Sequence, residues 1–511
     1  MQPVEYLVDE LAEADTIAKR RIGVVDLGSN SGRLVVYDQF PSGRLCIVED
    51  ARVPLRLASD IHADGALGEA AMARTIDALR EFHSIALGAG AERTVVVGTS
   101  SMREATNGDT LRQRIRDEVG IEVEIIDGLS EARFSFLGAI HGLPVWNGFV
   151  LDIGGGSLEL TRFRDRAGVA SWMLPLGALR LTQEFILSDP ADSKDVRHLK
   201  QFIARRLREE GIPRADENDV LVGTGGTIRN VAKINRKQRP SPIQRLHGYS
   251  VPYERVRRIA SALSAANIDQ RSAVPGLNSD RADSIVGGVI AVQVVMETLG
   301  VNELMVSGEG LREGIAFSLN SFEAPKPEAV KQASIAGLAY RFRAWEPGRA
   351  RQRMAAARQI ATTIDADTPP EFHEILAQAA FVLDVGRSVD YYDRLNHTAT
   401  IVLIADLDGF THREIALLCA IIREADKRQS DFSQYDPLVT VDDIGPITRC
   451  GVILAIADEI ERRYPGDTEI QLKLESDPDK VTMTIPPFSA YEIAKLGDRF
   501  RRAFGRELIF N

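Results

Sequence analysis

Two carboxylates on either side of a glycine turn are the chemical feature around which the rest of the chain is organised. Asp152 precedes the turn and Glu159 follows it, and the turn itself consists of Gly154, Gly155, Gly156 and Ser157. Apolar residues before and after it predict two strands, and a turn with so little side-chain bulk leaves N–H groups available to surround an anionic oxygen. Two carboxylates would repel a bare phosphate, so the spacing favours a divalent cation held by Asp152 and Glu159. A tight hairpin without a ligand is the alternative, because a single glycine motif is weak evidence.

The motif has an earlier copy, in which Asp26 precedes a turn of Gly28, Ser29, Asn30 and Ser31. A second pair of turns begins at Gly98 and at Gly223, and the later one continues to Gly225, Gly226 and Thr227. The offsets are 126 residues from Asp26 to Asp152 and 125 residues from Gly98 to Gly223. Two motif pairs with one offset predict an internal duplication. Each half is expected to be a βββαβα unit, with two phosphate-binding hairpins facing each other across a cleft.

Composition narrows the class of protein. The 511 residues, 44% hydrophobic and 26% charged, are typical of about three or four globular domains. A net charge of −11 argues against nucleic acid as a partner, so a polyanionic substrate would need a local basic channel. The three cysteines match no metal spacing and fit a reducing cytoplasm. Met1–Arg20 lacks the apolar core of a signal peptide, and the apolar helix at Ile285–Met296 is too short to span a membrane. We therefore expect a cytoplasmic protein with no membrane partner.

These motifs resemble those of the exopolyphosphatase / guanosine pentaphosphate phosphatase family, which has the actin–hexokinase–heat-shock ATPase superfold. The resemblance extends from about Arg21 to the C-terminus, and its most specific segments are Asp26–Ser31, Ser130–Arg133, Asp152–Glu159, Arg281–Asp283 and Gly310–Gly314. It implies an α/β fold with two duplicated actin-like (ribonuclease H-like) domains, an all-α degenerate His-Asp-type domain and a small α+β C-terminal domain. We assign residues 1–20 to an N-terminal extension, 21–135 and 136–320 to actin-like domains I and II, 321–465 to the helical domain and 466–511 to the last domain.

The resemblance also implies roles for single residues. The glutamate of the family's Glu-Ala-Arg motif, here Glu131, is the general base that activates water. The aspartate and glutamate of the central hairpin, here Asp152 and Glu159, hold a catalytic divalent ion, Mg²⁺ or Mn²⁺, which neutralises charge on the transferred phosphoryl group. For Glu131 alone, the alternative is a carboxylate that merely stabilises a helix start.

Further residues are expected to contact phosphate. Arg103 follows the Gly98 turn and is expected to clamp the terminal phosphate, with a surface ion pair as its alternative. Arg281 has an equal alternative as an ion pair with Asp280 or Asp283. The expected phosphate-binding residues are Asp26, Gly28, Ser29, Asn30, Ser31, Gly154, Gly155, Gly156, Ser157, Gly225, Gly226, Thr227 and Arg281.

The region after the linker Ala324–Pro327 resembles the helical domain of the His-Asp metal-dependent phosphohydrolases, without their metal ligands. The first histidine of that pattern would fall near Gly348, and the His-Asp pair would fall at Leu383 and Asp384. One remaining aspartate cannot assemble a metal site, so we expect this domain to be non-catalytic. Six arginines near its start predict either a solvated helical face or a groove that grips distal phosphates: Arg341, Arg343, Arg349, Arg351, Arg353 and Arg358.

The activity expected from these residues is removal of terminal phosphate from inorganic polyphosphate. Hydrolysis of guanosine pentaphosphate at its 5′ end is the close alternative, because both substrates present a terminal phosphoanhydride. A sugar or acetate kinase of the same superfold would need an adenosine pocket around Ser307–Gly314. A non-enzymatic sensor of alarmone or polyphosphate would need no general base, so Glu131 argues against it. The family resemblance implies a homodimer.

Overall fold

The computed structural model of the chain describes residues 19–61, 64–426, 431–466, 468, 470, 472–484 and 490–510. The expected N-terminal extension therefore lies outside the described residues except for Lys19 and Arg20. The described chain divides into two compact units: residues 19–240 with 246–330, and residues 241–245 with 331–510. The boundary after Val330 follows shortly after the linker that the sequence predicts. The finer division into five parts stays a prediction.

The first sheet of the larger unit has five strands in the order β3-β2-β1-β4-β5. Its strands are β1 (Arg20–Leu27), β2 (Ser31–Gln39), β3 (Leu45–Pro54), β4 (Arg93–Gly98) and β5 (Val123–Ile125). The helices of this half are α1 (Glu69–Gly88), α2 (Ser100–Glu104), α3 (Gly108–Val119) and α4 (Gly128–His141). The middle of β1 is apolar because the strand lies at the centre of the sheet, where Ile22, Val24 and Val25 are all buried.

The second sheet of this unit has six strands in the order β10-β11-β9-β6-β7-β8. Its strands are β6 (Gly148–Ile153), β7 (Leu158–Arg164), β8 (Ala167–Leu174), β9 (Val220–Thr224), β10 (Tyr249–Pro252) and β11 (Glu303–Val306). The helices are α5 (Ala178–Phe185), α6 (Ser193–Glu209), α7 (Gly225–Gln238), α8 (Tyr253–Ala265), α9 (Ile268–Ser272), α10 (Ile285–Leu299) and α11 (Leu311–Ser318). α10 is buried on nearly every side, which explains its almost wholly apolar sequence.

The two sheets repeat one topology, which confirms the predicted duplication. β1 pairs antiparallel with β2 and parallel with β4, and β6 pairs antiparallel with β7 and parallel with β9. β5 and β11 continue the two sheets in parallel, and beside β11 the second sheet has a further antiparallel strand, β10. The predicted hairpin turns therefore occupy equivalent places, between β1 and β2 and between β6 and β7.

The smaller unit is helical and ends in a small sheet, as the sequence predicts. Its helices are α12 (Pro327–Ala339), which begins just before the boundary, α13 (Pro347–Ile364), α14 (Pro370–Val382), α15 (Arg394–Ile404), α16 (His412–Glu424) and α17 (Ile444–Glu461). The sheet contains β12 (Lys473–Ser476), β13 (Lys480–Thr484) and β14 (Glu507–Phe510), with α18 (Ala490–Phe504) before the last strand. One continuous apolar core joins Ile360, Leu417 and Phe500. No helix in the described chain is long and apolar enough to cross a membrane.

The expectation that Arg353 lies on a solvated face or in an open groove is wrong. Its side chain is 1% exposed, and its guanidinium contacts Asp384, Asp458 at 3.0 Å and Glu461 at 2.9 Å. Arg349 also pairs with Glu461, at 2.7 Å. Asp384, the aspartate of the degenerate His-Asp pattern, is therefore neutralised by a guanidinium. Burial alone would raise the pKa of Asp384, but Arg353 and Arg394 outweigh burial and lower that pKa.

Candidate active site

The cross-strand register places Asp152 directly opposite Glu159 on β6 and β7. Directly opposed residues share one face of a sheet, with Cβ atoms about 4.5–5.5 Å apart. Glu159 is 7% exposed, and Oε1 of its carboxylate has no hydrogen-bond partner in the described chain. Burial raises the pKa of both carboxyl groups, and their mutual repulsion raises that of Glu159 further. A buried pair of like charges with an open oxygen is stabilised by a cation.

The equivalent pair in the first half carries its own cation. Asp26 lies opposite Arg33 on β1 and β2, at the position that Glu159 takes opposite Asp152. Arg312, from the start of α11, lies 3.9 Å from the Asp26 carboxylate. The two halves of the duplication therefore differ in one decisive place, because the first contains an arginine where the second contains a carboxylate.

The residues at the second pair fit a divalent metal with few protein ligands. The described chain contains no group of three or more histidine, cysteine, aspartate or glutamate side chains arranged to hold a metal. Mg²⁺ usually retains several waters and takes only one or two protein carboxylates, with substrate phosphates completing its shell. Asp152 and Glu159 match that pattern.

Glu131 lies in the first turn of α4, which is oriented by a helix cap. The Asp127 carboxylate accepts a hydrogen bond from Ser130 N at 2.7 Å and caps the helix, which begins at Gly128, three residues before Glu131. Arg103 Nη1 donates to Glu131 Oε2 at 3.1 Å and to the Ile126 carbonyl at 2.8 Å. Burial raises the pKa of Glu131 to about 7, against the opposing effect of Arg103. A carboxylate with that pKa can accept a proton from water near neutral pH.

The two hairpin turns close in the same way. Gly28 N donates to the Ser31 carbonyl at 3.2 Å, and Gly154 N donates to the Ser157 carbonyl at 3.0 Å. Within the described residues, the N–H groups of Ser29 and Asn30, and of Gly155 and Gly156, donate to no other protein atom. Ser29 Oγ is 2.9 Å from Ser100 Oγ, which brings the Gly98 turn beside the first hairpin. These turns therefore retain donors for an anion, as the sequence predicts.

The third glycine turn forms the N-terminus of α7. Gly225 has a φ of +89°, and a Cβ there would lie 2.7 Å from an Asp152 carboxylate oxygen, so only glycine fits. A Cβ at Gly226 would lie 2.6 Å from an Arg281 guanidinium nitrogen. Thr227 is 1% exposed and its side chain faces Gly288, so only its backbone N–H is directed to the N-terminal end of the helix.

A strongly basic cavity adjoins these turns. It has a volume of about 250 Å³ and is lined by Arg33, Arg52, Gly226, Arg229, Asn230, Lys233, Asn278 and Arg281. Burial lowers the pKa of Arg33 to about 10, and the nearby charges of Arg312, Arg229 and Arg52 add to that effect. Five cationic side chains in one cavity repel each other and favour an anionic occupant.

One ion pair crosses the rim of this cavity. Arg52 on β3 donates to Asp280 at 2.8 Å, joining the first sheet to the 3₁₀ turn Ser279–Arg281. Asp280 is therefore engaged by Arg52, and the Arg281 guanidinium lines the cavity.

Sequence reasoning found Arg281 but missed four cavity residues: Arg33, Arg52, Arg229 and Lys233. Two of them could have been found by their spacing, because Arg33 and Arg229 each follow a predicted phosphate turn by two residues. Arg52 and Lys233 carry no such signal, since their places depend on how the two sheets face each other. Arg133 of the Ser-Glu-Ala-Arg motif stacks on Phe322, with the guanidinium carbon 4.1 Å from the ring centre.

The turn Ser307–Gly314 forms internal contacts. Tyr37 donates its hydroxyl hydrogen to Glu313, and Glu313 also accepts from Gly310 N at 2.8 Å. A Cβ at Gly314 would lie 1.8 Å from the Phe134 carbonyl oxygen of α4. This close approach of α11 to α4 therefore requires glycine at position 314.

Comparison with known proteins identifies close similarities over most of the chain. The model of the Ppx/GppA phosphatase family matches residues 35–322, and the model of domain III of Ppx/GppA phosphatases matches residues 330–489. Exopolyphosphatase 1 of Mycobacterium leprae is 29% identical over 62% of this chain and 94% of its own length. Exopolyphosphatase 2 of Mycobacterium tuberculosis is 29% identical over 59% of this chain and 99% of its own. The crystal structure of the Aquifex aeolicus Ppx/GppA family member has a TM-score of 0.54 and 27% identity, covering 59% of this chain and 98% of that one.

Proposed function

The chain belongs to the Ppx/GppA phosphatase family and is thus an enzyme that hydrolyses phosphoanhydride bonds, and from that premise we propose that it is an exopolyphosphatase. Its substrate would be inorganic polyphosphate, and its product would be the terminal orthophosphate. The basic cavity is the observation that carries this choice. Its lining includes no aromatic or large aliphatic side chain, so it offers mainly charges for phosphates and no apolar surface for a guanine base.

In this proposal Glu131 is the general base. A water molecule that attacks the terminal phosphorus must lose a proton, and the carboxylate of Glu131 accepts it. The support is a buried carboxylate whose pKa is raised to about 7, so that it is partly ionised at neutral pH. Arg103 orients that carboxylate through its 3.1 Å contact and stabilises the negative charge of the terminal phosphoryl group.

The glycine turns hold the phosphoryl oxygens. The N–H groups of the turn at Gly28–Ser31 and of the turn at Gly154–Ser157 would donate to them from the two halves of the duplication. Phosphoryl transfer requires little covalent chemistry from the protein, so positioning and charge neutralisation account for most of the catalysis.

Mg²⁺ or Mn²⁺ is part of the proposal. Asp152 and Glu159 would hold the ion, and when bound it supplies positive charge that offsets the charge of the phosphates. The chain contributes the buried pair of carboxylates. Burial and mutual repulsion make the ionised pair unfavourable without a cation, and a bound cation would remove that cost.

Guanosine pentaphosphate is the alternative substrate, because its terminal phosphate would undergo the same chemistry. One observation favours it: Leu129, two residues before Glu131, is 71% exposed and could contact a nucleoside.

We further propose that the protein is cytoplasmic and forms a homodimer. Light scattering on the purified protein would test the homodimer. Cys46, Cys419 and Cys450 form no disulfide within the described residues, which is compatible with the cytoplasm.

The deciding experiment measures phosphate release from polyphosphate, guanosine pentaphosphate and ATP, each with Mg²⁺ and with chelator. We expect the highest kcat/KM for polyphosphate, dependence on the metal, and loss of release in Glu131→Gln. Release from guanosine pentaphosphate alone would establish the alternative. Release from none of the three by a folded, metal-supplied protein would overturn both substrates.

A further inference from the structure

One face of α7 carries a row of cations. Arg229, Lys233 and Lys237 are spaced by four residues, so their side chains lie on the same side of the helix, and Arg236 lies beside them. The opposite side is apolar and packs into the core through Ile228, Val231, Ile234 and neighbouring residues. The helix contains no aspartate or glutamate.

The row begins inside the basic cavity and leaves it. Gly226, Arg229 and Lys233 line the cavity, whereas Lys237 is exposed one helical turn further along. From Arg229 to Lys237 the helix rises by about 12 Å, with one cation roughly every 6 Å along it. A linear polyanion is a ligand whose charge repeats over such a distance.

Helix electrostatics explain only part of this row. The negative end of the helix dipole favours cations in the last turn, which accounts for Arg236 and Lys237. The dipole gives no such support to Arg229, which lies in the second turn from the N-terminus. The carboxylates of Glu313 and Asp152 act on Arg229, but burial and the repulsion of Arg312 outweigh them and lower its pKa.

Arg229 and Lys233 are partly buried, and each makes a long contact with a neutral oxygen. Arg229 Nη1 lies 3.4 Å from the Gly308 carbonyl, and Lys233 Nζ lies 3.4 Å from the Asn278 side-chain oxygen. Two carboxylates of this region pair with other arginines: Asp280 with Arg52 at 2.8 Å and Asp26 with Arg312 at 3.9 Å. The nearest acidic influence on Lys233 is Asp280, which Arg52 already engages. Burial and repulsion by Arg229 and Arg236 lower the pKa of Lys233, a cost that an anion would remove.

We propose that this cation face of α7 guides the distal phosphates of a long polyphosphate out of the cavity, and so determines the enzyme's preference for long chains. The inference rests on the proposed function, because it concerns the part of the substrate remote from the reacting phosphate. A short oligophosphate ends within the cavity and does not reach Lys237. A long chain continues along the helix, where each contact releases counterions and makes binding sensitive to salt.

The test compares substrates of different length in two matched variants. Arg236→Gln/Lys237→Gln removes two charges from the part of the cation face that lies beyond the cavity, and Lys194→Gln/Lys200→Gln removes two charges from α6 of the same unit. KM is measured for long polyphosphate and for tripolyphosphate over a range of salt concentrations. For the α7 variant we expect the ratio of KM for the long chain to KM for tripolyphosphate to rise about tenfold. The slope of log KM against log salt for the long chain should fall by about one to two. The control variant should leave the ratio and the slope unchanged.

The outcomes separate this inference from the proposed function. If the α7 variant releases phosphate normally, and its KM ratio and salt slope equal those of the wild type, the path along α7 is overturned. The proposed exopolyphosphatase activity would still stand. Equal changes in both variants would show a general effect of net charge, and would also overturn the path along α7. Absence of release from wild-type protein would instead reject the function itself. If the double variant does not fold, Lys237→Gln alone decides the question, because that side chain is exposed and outside the core. RNA or an acidic peptide could instead inhibit the wild type and not the α7 variant, while KM for long and short polyphosphate stays the same in both. That result would overturn the inference, because the cation face would then bind RNA or the peptide and not polyphosphate.

Discussion

Arg103 and Glu131 form a partly buried ion pair, with Nη1 and Oε2 3.1 Å apart, that joins the Gly98 turn to the first turn of α4. The arginine also donates to the Ile126 carbonyl, immediately before the helix cap. The position of the carboxylate is therefore determined by two separate segments of the first half. The pair couples the ionisation of Glu131 to Arg103, which we propose also contacts the terminal phosphate.

Replacement of Glu131 by glutamine should lower kcat by at least ~10²-fold while changing KM little, because the amide cannot accept a proton from water. The wild-type rate should fall as pH falls through about 7, since the base is active only when ionised and burial raises its pKa to that value. Stopped assays at saturating substrate across pH 5.5–9 would measure both effects. A variant with near wild-type turnover, or one that retains the acidic limb of the profile, would remove Glu131 from the mechanism.

Replacement of Arg103 by glutamine should move that acidic limb to higher pH. The arginine lowers the pKa of Glu131 against the effect of burial, so its loss leaves burial unopposed. If Arg103 also stabilises the phosphoryl group, the rate on the alkaline plateau should fall by about 10²-fold. Arg112→Gln, a change at an exposed arginine of α3, is the matched control and should alter neither quantity. If the acidic limb of the variant lies at the same pH as that of the wild type, Arg103 does not alter the pKa of Glu131.

Asp152→Asn and Glu159→Gln should each raise the Mg²⁺ concentration required for half-maximal activity by about tenfold, because one charged oxygen ligand is lost. Stability gives a second readout. Without metal each variant should have a higher Tm than the wild type near neutral pH, since one member of a buried, repelling pair becomes neutral.

Added Mg²⁺ should raise the Tm of the wild type through preferential binding to the folded state, and should raise that of the variants less. Glu124→Gln, at an exposed position of β5, is the control and should behave as the wild type. Identical metal dependence of activity and Tm in both site variants would refute the assignment.

Arg353→Gln should destabilise the helical unit by about 3–5 kcal/mol, because it leaves Asp384 and Glu461 buried with too little compensating charge. Urea unfolding followed by circular dichroism would detect this as an earlier transition. Arg343→Gln, at an exposed position of the same arginine-rich stretch, should change stability by no more than about 0.5 kcal/mol. Equal stability of the two variants would mean that the buried ion cluster contributes nothing.

The sequence by itself was sufficient to predict the duplication, the order of the elements and the hairpin that carries Asp152 and Glu159. Those features are local: a glycine turn between two apolar runs predicts a hairpin wherever it occurs, and Asp152 and Glu159 are only seven residues apart. The equal offset of two motif pairs then predicts that their turns occupy equivalent places, which the sheet topology confirms.

Only the tertiary structure decided which charged residues are brought together. A run of arginines predicts a solvated face, because the sequence does not show the carboxylates that bury Arg353, which lie 31 and 108 residues away at Asp384 and Glu461. The basic cavity likewise combines Arg33 and Arg52 of the first half with Arg229, Lys233 and Arg281 of the second. Coulombic interaction and burial depend on distance in space, so the ionisation of Glu131 and the charge of the cavity are properties of the folded chain.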